Sequence, residues 1–206
     1  YAKTVVLAQD HLNHDEIWLR CDMLDTLCTV FINNTKIAET NNCHIRYSFD
    51  VKQYLKEGEN TLRFVFASPV NYVGEIAKSK PVPPNANGQN GVCFVRKPQC
   101  HFGWDWGPVL PPSGIQGDIY LEGIDIAEVQ EVIATQKHYD GKVDVDVKAL
   151  VRKLGNTDIT CVLTLTHPDG SVQKIDGKDG KFTVETPELW WTYELSGKDI
   201  QPLYYE

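Results

Sequence analysis

A chain of 206 residues is long enough to bury a real core and is expected to hold two modest domains. Its net charge of −8, with no basic patch to neutralise phosphates, argues against a nucleic-acid partner. Hydrophobic residues at 42% beside charged residues at 23% are ordinary for a globular chain, and no apolar run approaches the ~20 residues of a membrane helix.

Tyr1-Ala2-Lys3-Thr4 leads straight into an apolar, strand-like run, so the chain opens without a signal peptide and reads as starting in mid-domain. Short apolar runs bounded by turn residues follow, which is a β signature. Ile17-Trp18-Leu19-Arg20-Cys21 is the first clear strand. Cys28-Thr29-Val30-Phe31-Ile32 and Thr35-Lys36-Ile37 flank Asn33-Asn34, a pair that tolerates the positive φ of a tight hairpin. Tyr47-Ser48-Phe49-Asp50-Val51 and Thr61-Leu62-Arg63-Phe64-Val65-Phe66 alternate as half-buried strands, with a helical turn expected at Gln53-Tyr54-Leu55. Residues 68–91, rich in Pro, Asn and Gly, read as one long polar loop.

The loop that follows carries the chemistry. His101-Phe102-Gly103-Trp104-Asp105-Trp106-Gly107-Pro108 places one carboxylate between two of the chain's five tryptophans. A sugar ring has C–H faces and hydroxyl edges, and aromatic walls beside a placed hydrogen-bonding group suit it. Gly103 and Gly107 permit a sharp turn that projects Asp105. The competing structural reading puts both indoles in the core and uses Asp105 to cap a turn.

Ile119-Tyr120-Leu121-Glu122 is expected to be the last strand of a first domain spanning 1–124. From there to 206 the strands read as shorter and more polar: Val129-Gln130-Glu131-Val132-Ile133, Val143-Asp144-Val145-Asp146-Val147, Ile159-Thr160-Cys161-Val162-Leu163-Thr164-Leu165 and Phe182-Thr183-Val184. Turns at Asp140-Gly141, Gly155-Asn156, Pro168-Asp169-Gly170 and Asp179-Gly180 separate them at sandwich-like spacing. Trp190 and Trp191 read as interface packing.

Six cysteines lack Cys-x-x-Cys spacing, and the six histidines show no metal-ligand spacing, so no metal site or cofactor is expected. The even count permits disulfides. Several cysteines nonetheless fall in apolar runs, where a free thiol behaves as a small hydrophobe, which favours reduced thiols and the cytoplasm over secretion. Asp22 with Asp25, and Glu128 with Glu131, are close in sequence but are read as solvated turns and strand faces. No nucleophile elbow, phosphate loop or dinucleotide fingerprint occurs, so no catalytic residue is assigned.

Arg96-Lys97-Pro98-Gln99-Cys100 running into Phe102-Gly103-Trp104-Asp105-Trp106-Gly107-Pro108, then Ser113-Gly114-Ile115, resembles the β-mannosidases of glycoside hydrolase family 2. Leu24-Asp25-Thr26, Val30-Phe31-Ile32-Asn33, Asn42 with His44, Arg46 and Tyr47, and Gly58-Glu59-Asn60-Thr61-Leu62 extend the likeness, and so do Pro187-Glu188-Leu189-Trp190-Trp191 and Gln201-Pro202-Leu203-Tyr204. The resemblance implies an all-β chain: a jelly-roll-like, galactose-binding-type β-sandwich at 1–124 and an immunoglobulin-like β-sandwich at 125–206. It further implies an enzyme that releases terminal β-D-mannose from mannose-containing oligosaccharides with retention of configuration. Its two catalytic glutamates would lie on a (β/α)₈ barrel that follows the second sandwich, and no strand–helix alternation occurs anywhere in this sequence. The chain by itself is therefore expected to be inactive, with that barrel as its partner. Asp105 would hydrogen-bond the terminal sugar, Trp104 would form a pocket wall and Trp106 would buttress the loop from behind. Gln116-Gly117 stands where relatives usually carry an aromatic and an arginine, which removes a charged partner for neighbouring carboxylates. An exo-β-glucosaminidase of the same family and a free-standing carbohydrate-binding module are the alternatives.

Overall fold

The computed structural model describes residues 1–80, 82 and 89–187. It divides into one compact unit, Tyr1–Asp125, and a second beginning at Ile126. The expectations placed on Trp190, Trp191 and residues 201–204 concern positions outside the described residues.

The first unit runs through β1 (Ala2–Leu7), a short α1 (Gln9–Leu12), β2 (Glu16–Cys21), β3 (Leu24–Asp25), β4 (Cys28–Ile32), β5 (Thr35–Thr40), β6 (Tyr47–Asp50) and β7 (Gly58–Phe66). After α2 (Pro69–Ser79) come β8 (Phe102–Trp104), β9 (Gly107–Val109), β10 (Gly114–Ile115) and β11 (Ile119–Ile124). An antiparallel sheet ordered β1-β7-β4-β5 and a second ordered β11-β2-β6 enclose the core. Period-two alternation explains which side chains enter it: Ile17, Leu19 and Cys21 from β2, Cys28, Val30 and Ile32 from β4, Leu62 and Phe64 from β7. The intervening residues of these strands are mostly only partly buried or exposed.

Turn chemistry fixes the register. Asn33 and Asn34, at φ of 48° and 67°, close the β4–β5 hairpin in the left-handed region that asparagine tolerates. Asn60, wholly buried, donates its amide to the carbonyls of Lys56 and Gly58 and accepts from Asn33 Nδ2 and the Lys56 amide at 2.7–3.0 Å. A buried amide with its donors and acceptors satisfied in this way is a strong local lock, and it accounts for the Gly58-Glu59-Asn60 run.

Residues 68–91 differ from the expected loop. Ser68 accepts a hydrogen bond from the Asn71 amide, Pro69 begins α2, and Val73 is buried on its inner side. A capping serine before proline is a helix start. The Pro/Asn-rich stretch beyond the helix masked it.

The second unit contains β12 (Ala127–Tyr139), β13 (Lys142–Lys153), β14 (Val162–Thr166), β15 (Val172–Asp176) and β16 (Asp179–Glu185). A β12-β13-β16 sheet and a β14-β15 pair bury Ala149, Leu163, Leu165, Phe182 and Val184. The turn at Asp140-Gly141 joins β12 to β13, with Gly141 at φ 74°. The strands are longer than expected at β12 and β13, and β14 starts only at Val162. Asp179-Gly180 opens β16 rather than turning; the reversal sits at Gly177, φ 114°, because Gly180 pairs with Val147 in the ladder. The described residues are thus an all-β sandwich fold with few helices.

Candidate functional site

The Trp-Asp-Trp stretch is a β-hairpin. Phe102 pairs with Val109 and Trp104 with Gly107, which leaves Asp105 and Trp106 as the two residues of its tip. Gly103 takes a φ of 109°, so the permissive backbone expected of glycine is used there, while Gly107 has no positive φ. Asp105 is exposed and makes no hydrogen bond or ion pair with any described residue. Trp104 is 47% exposed and Trp106 77%. Neither indole belongs to a core cluster among the described residues, contrary to the packed-core alternative. Trp106 is the more exposed of the two, so within the described residues it does not buttress the hairpin from behind. With Val109 and Leu110 also exposed, the tip offers apolar surface around one unpartnered carboxylate.

The root of the hairpin is buried. Phe102 has no exposed surface and packs with Val73, Val92 and Val95 in a satellite core beneath the loop. Its carbonyl accepts from the Gln89 amide at 3.0 Å. Helix α2, unforeseen from sequence, supplies Val73 to this support.

A second anchor lies at Asp25 and differs from the sequence expectation. Asp25 is not a solvated turn residue: it is 1% exposed. Its Oδ2 accepts from the buried Lys97 ammonium and from Gln116 Nε2, the latter at 2.7 Å, and its Oδ1 accepts from the Thr26 hydroxyl. Lys97 stands before the hairpin and Gln116 after it. Gln116 therefore carries a role that the departure from the family spelling had put in doubt. The only sequence signal was the presence of both Leu24-Asp25-Thr26 and Arg96-Lys97-Pro98 among the family-like runs. Of the other carboxylates read as solvated, Glu128 is bound by Arg152 at 2.9–3.0 Å. His101, at the hairpin's entrance, has a buried Nδ1 without a partner among the described residues. Burial first, and then the Lys97 charge, hold its imidazole below the usual value, so it is neutral near pH 7.

No group of three or more His, Cys, Asp or Glu side chains that could hold a metal occurs among the described residues. All six cysteines are free thiols. No described helix is long and apolar enough to cross a membrane. What the tip can do chemically is bind: stack an apolar face on an indole and accept hydroxyl hydrogen bonds at Asp105.

Comparison with known proteins bears on the fold and the family. Residues 1–117 match the family model described as glycosyl hydrolase 2 galactose-binding domain-like. The β-mannosidase of Rattus norvegicus is 38% identical over 195 residues, covering 84% of this chain and 22% of the relative. The β-mannosidase of Bos taurus is 29% identical over 218 residues, covering 94% of this chain and 24% of the relative. Among solved structures, the β-D-mannosidase of Dictyoglomus thermophilum superposes with a TM-score of 0.79 at 28% identity, over 93% of this chain and 25% of that one. The chain spans about a quarter of the length of these relatives. Since the family model covers more than half of the sequence and the sandwich it describes is the one observed, the chain belongs to glycoside hydrolase family 2.

Proposed function

We propose that this chain is the non-catalytic, sugar-recognising part of a retaining, exo-acting β-mannosidase, and that its hairpin tip contributes to the subsite for the terminal β-D-mannose. The observation that carries the reading is Asp105: an exposed, unpartnered carboxylate at a hairpin tip, set between two exposed indoles on a buried root. An unpaired acceptor held on a rigid strand pair is preorganised for hydroxyl groups, while the indoles offer faces for the ring. The mannosidase relatives support the choice of sugar. In this reading the reacting carboxylates are supplied by a barrel of the same protein, and Trp104 and Trp106 act as walls.

The test is hydrolysis of p-nitrophenyl-β-D-mannoside by the full protein carrying this chain. Asp105→Ala removes a charge-assisted hydrogen bond worth roughly 1.5–3 kcal/mol. The expected result is therefore a fall in kcat/KM of about tenfold or more. Unchanged kinetics would remove Asp105 from the subsite. Cleavage of the β-glucosaminide in place of the mannoside would move the reading to an exo-β-glucosaminidase, and hydrolysis of neither, with retained glycan binding, to a carbohydrate-binding module.

A further inference from the structure

We propose that Asp25 is a positioning residue for the Trp104-Asp105-Trp106 hairpin, fastening both ends of the loop that carries it. The inference rests on the sugar-contact reading above. Asp25 lies on β3, whose ladder partner is β10: Gly114 faces Asp25 and Ile115 faces Leu24. The chain entering the hairpin reaches the carboxylate through Lys97, and the chain leaving it through Gln116, both on the same oxygen, Oδ2. Thr26 occupies the other oxygen. Lys97 and Asp25 are both essentially without exposed side-chain surface, so neither charge has water as an alternative partner. In that setting the pair has to stay closed, because separating it strands a charge in the interior.

The geometry converts one buried carboxylate into a clamp on residues 98–115. Among the described residues, the other ties of that segment include the Phe102 contacts, the bond from Gln89, the β3–β10 ladder and the packing of Ile115 against the main core. Pro98, Pro108, Pro111 and Pro112 stiffen it, so a fixed root gives a fixed tip. Asp25 never needs to touch the sugar. It acts through the placement of Asp105.

Asp25→Ala and Lys97→Met each leave the opposite charge buried alone and are expected to unfold the unit. Gln116→Met is the working variant, because it deletes one donor, keeps the length of the side chain and leaves the Lys97–Asp25 pair intact. In the full protein, amide hydrogen exchange across residues 102–109 is expected to accelerate about tenfold, with β4 and β7 unchanged. The kcat/KM for the mannoside is expected to fall roughly fivefold to tenfold, because only part of the lost bond is felt at Asp105. In an Asp105→Ala background the same substitution is expected to cause no further kinetic loss, since it acts through that carboxylate. Unchanged exchange in the hairpin overturns the clamp. An equal kinetic loss with and without Asp105 overturns its link to the sugar subsite. If Asp105→Ala alone leaves the kinetics unchanged, the sugar-contact reading fails, and the exchange result by itself decides whether Asp25 fixes the hairpin.

Discussion

Cys21 and Cys28 face each other's sheets across the core of the first unit. Burial pushes the Cys21 thiol up to about 12, with Cys28 as its next cause, and burial pushes the Cys28 thiol up to about 11. In the unfolded chain both titrate near 9.0. Above that pH the unfolded state has released protons that the folded state still holds, so stability falls as pH rises. The contribution is complete below pH 9 and is lost progressively toward the folded values. Urea unfolding midpoints are therefore expected to drop between pH 8.5 and 10.5, and Cys21→Val, close in volume, is expected to flatten that drop. An identical pH slope in the variant would remove Cys21 as its source. Buried thiols were legible for Cys21 and Cys28 because each occupies an inward position in an alternating strand. The same reasoning does not reach Cys93 and Cys100, which are exposed. It also misread Asp25, whose partner Lys97 is remote in sequence and leaves no periodic trace.

At the level of elements, strands with strict alternation were legible and elements defined by distant partners were not. The β4–β5 hairpin followed from Asn33-Asn34, and the first sheet pair from its inward Val, Leu and Ile positions. Helix α2 was hidden by the composition that follows it, although Ser68-Pro69 marks its start. Asp179-Gly180 looked like a turn because a dipeptide cannot reveal which strand it will pair with. The segment after β10 makes the same point in packing terms. A Cβ on Gly117 would lie 2.8 Å from Asp22 Cβ and 2.9 Å from the Met23 nitrogen, atoms of the backbone or next to it that cannot swing away. The position admits no side chain without a shift of its neighbours. Gly117→Ala is expected to cost about 1–3 kcal/mol through overpacking and to lower the melting temperature by several degrees. A melting temperature equal to the parent's would mean that β10 shifts freely, contrary to its tie to β3.

Over the whole molecule, each unit carries its own apolar core, and the candidate site sits on the first. Glycoside hydrolysis with retention needs two carboxyl groups about 5–5.5 Å apart at one sugar. Between Pro98 and Ile115 there is one acidic residue, Asp105, and its sequence neighbours are indoles. Asp25, which is tied to both ends of this loop, is buried and committed to Lys97, Gln116 and Thr26. A single exposed acceptor can hold a sugar hydroxyl, yet it cannot both attack the anomeric carbon and protonate the leaving oxygen from opposite sides. The 206-residue chain on its own is therefore expected to fold, to give the circular dichroism of an all-β protein, and to leave p-nitrophenyl-β-D-mannoside uncleaved. One hydrogen-bonding group with two open aromatic faces amounts to half a pocket, so mannose is expected to bind no tighter than about millimolar, consistent with a few kcal/mol of net contact energy. Titration calorimetry and a discontinuous hydrolysis assay on the same preparation check both statements. Turnover by this chain, abolished by Asp105→Ala, would show that the hairpin carries catalysis itself and would overturn its assignment as a binding element.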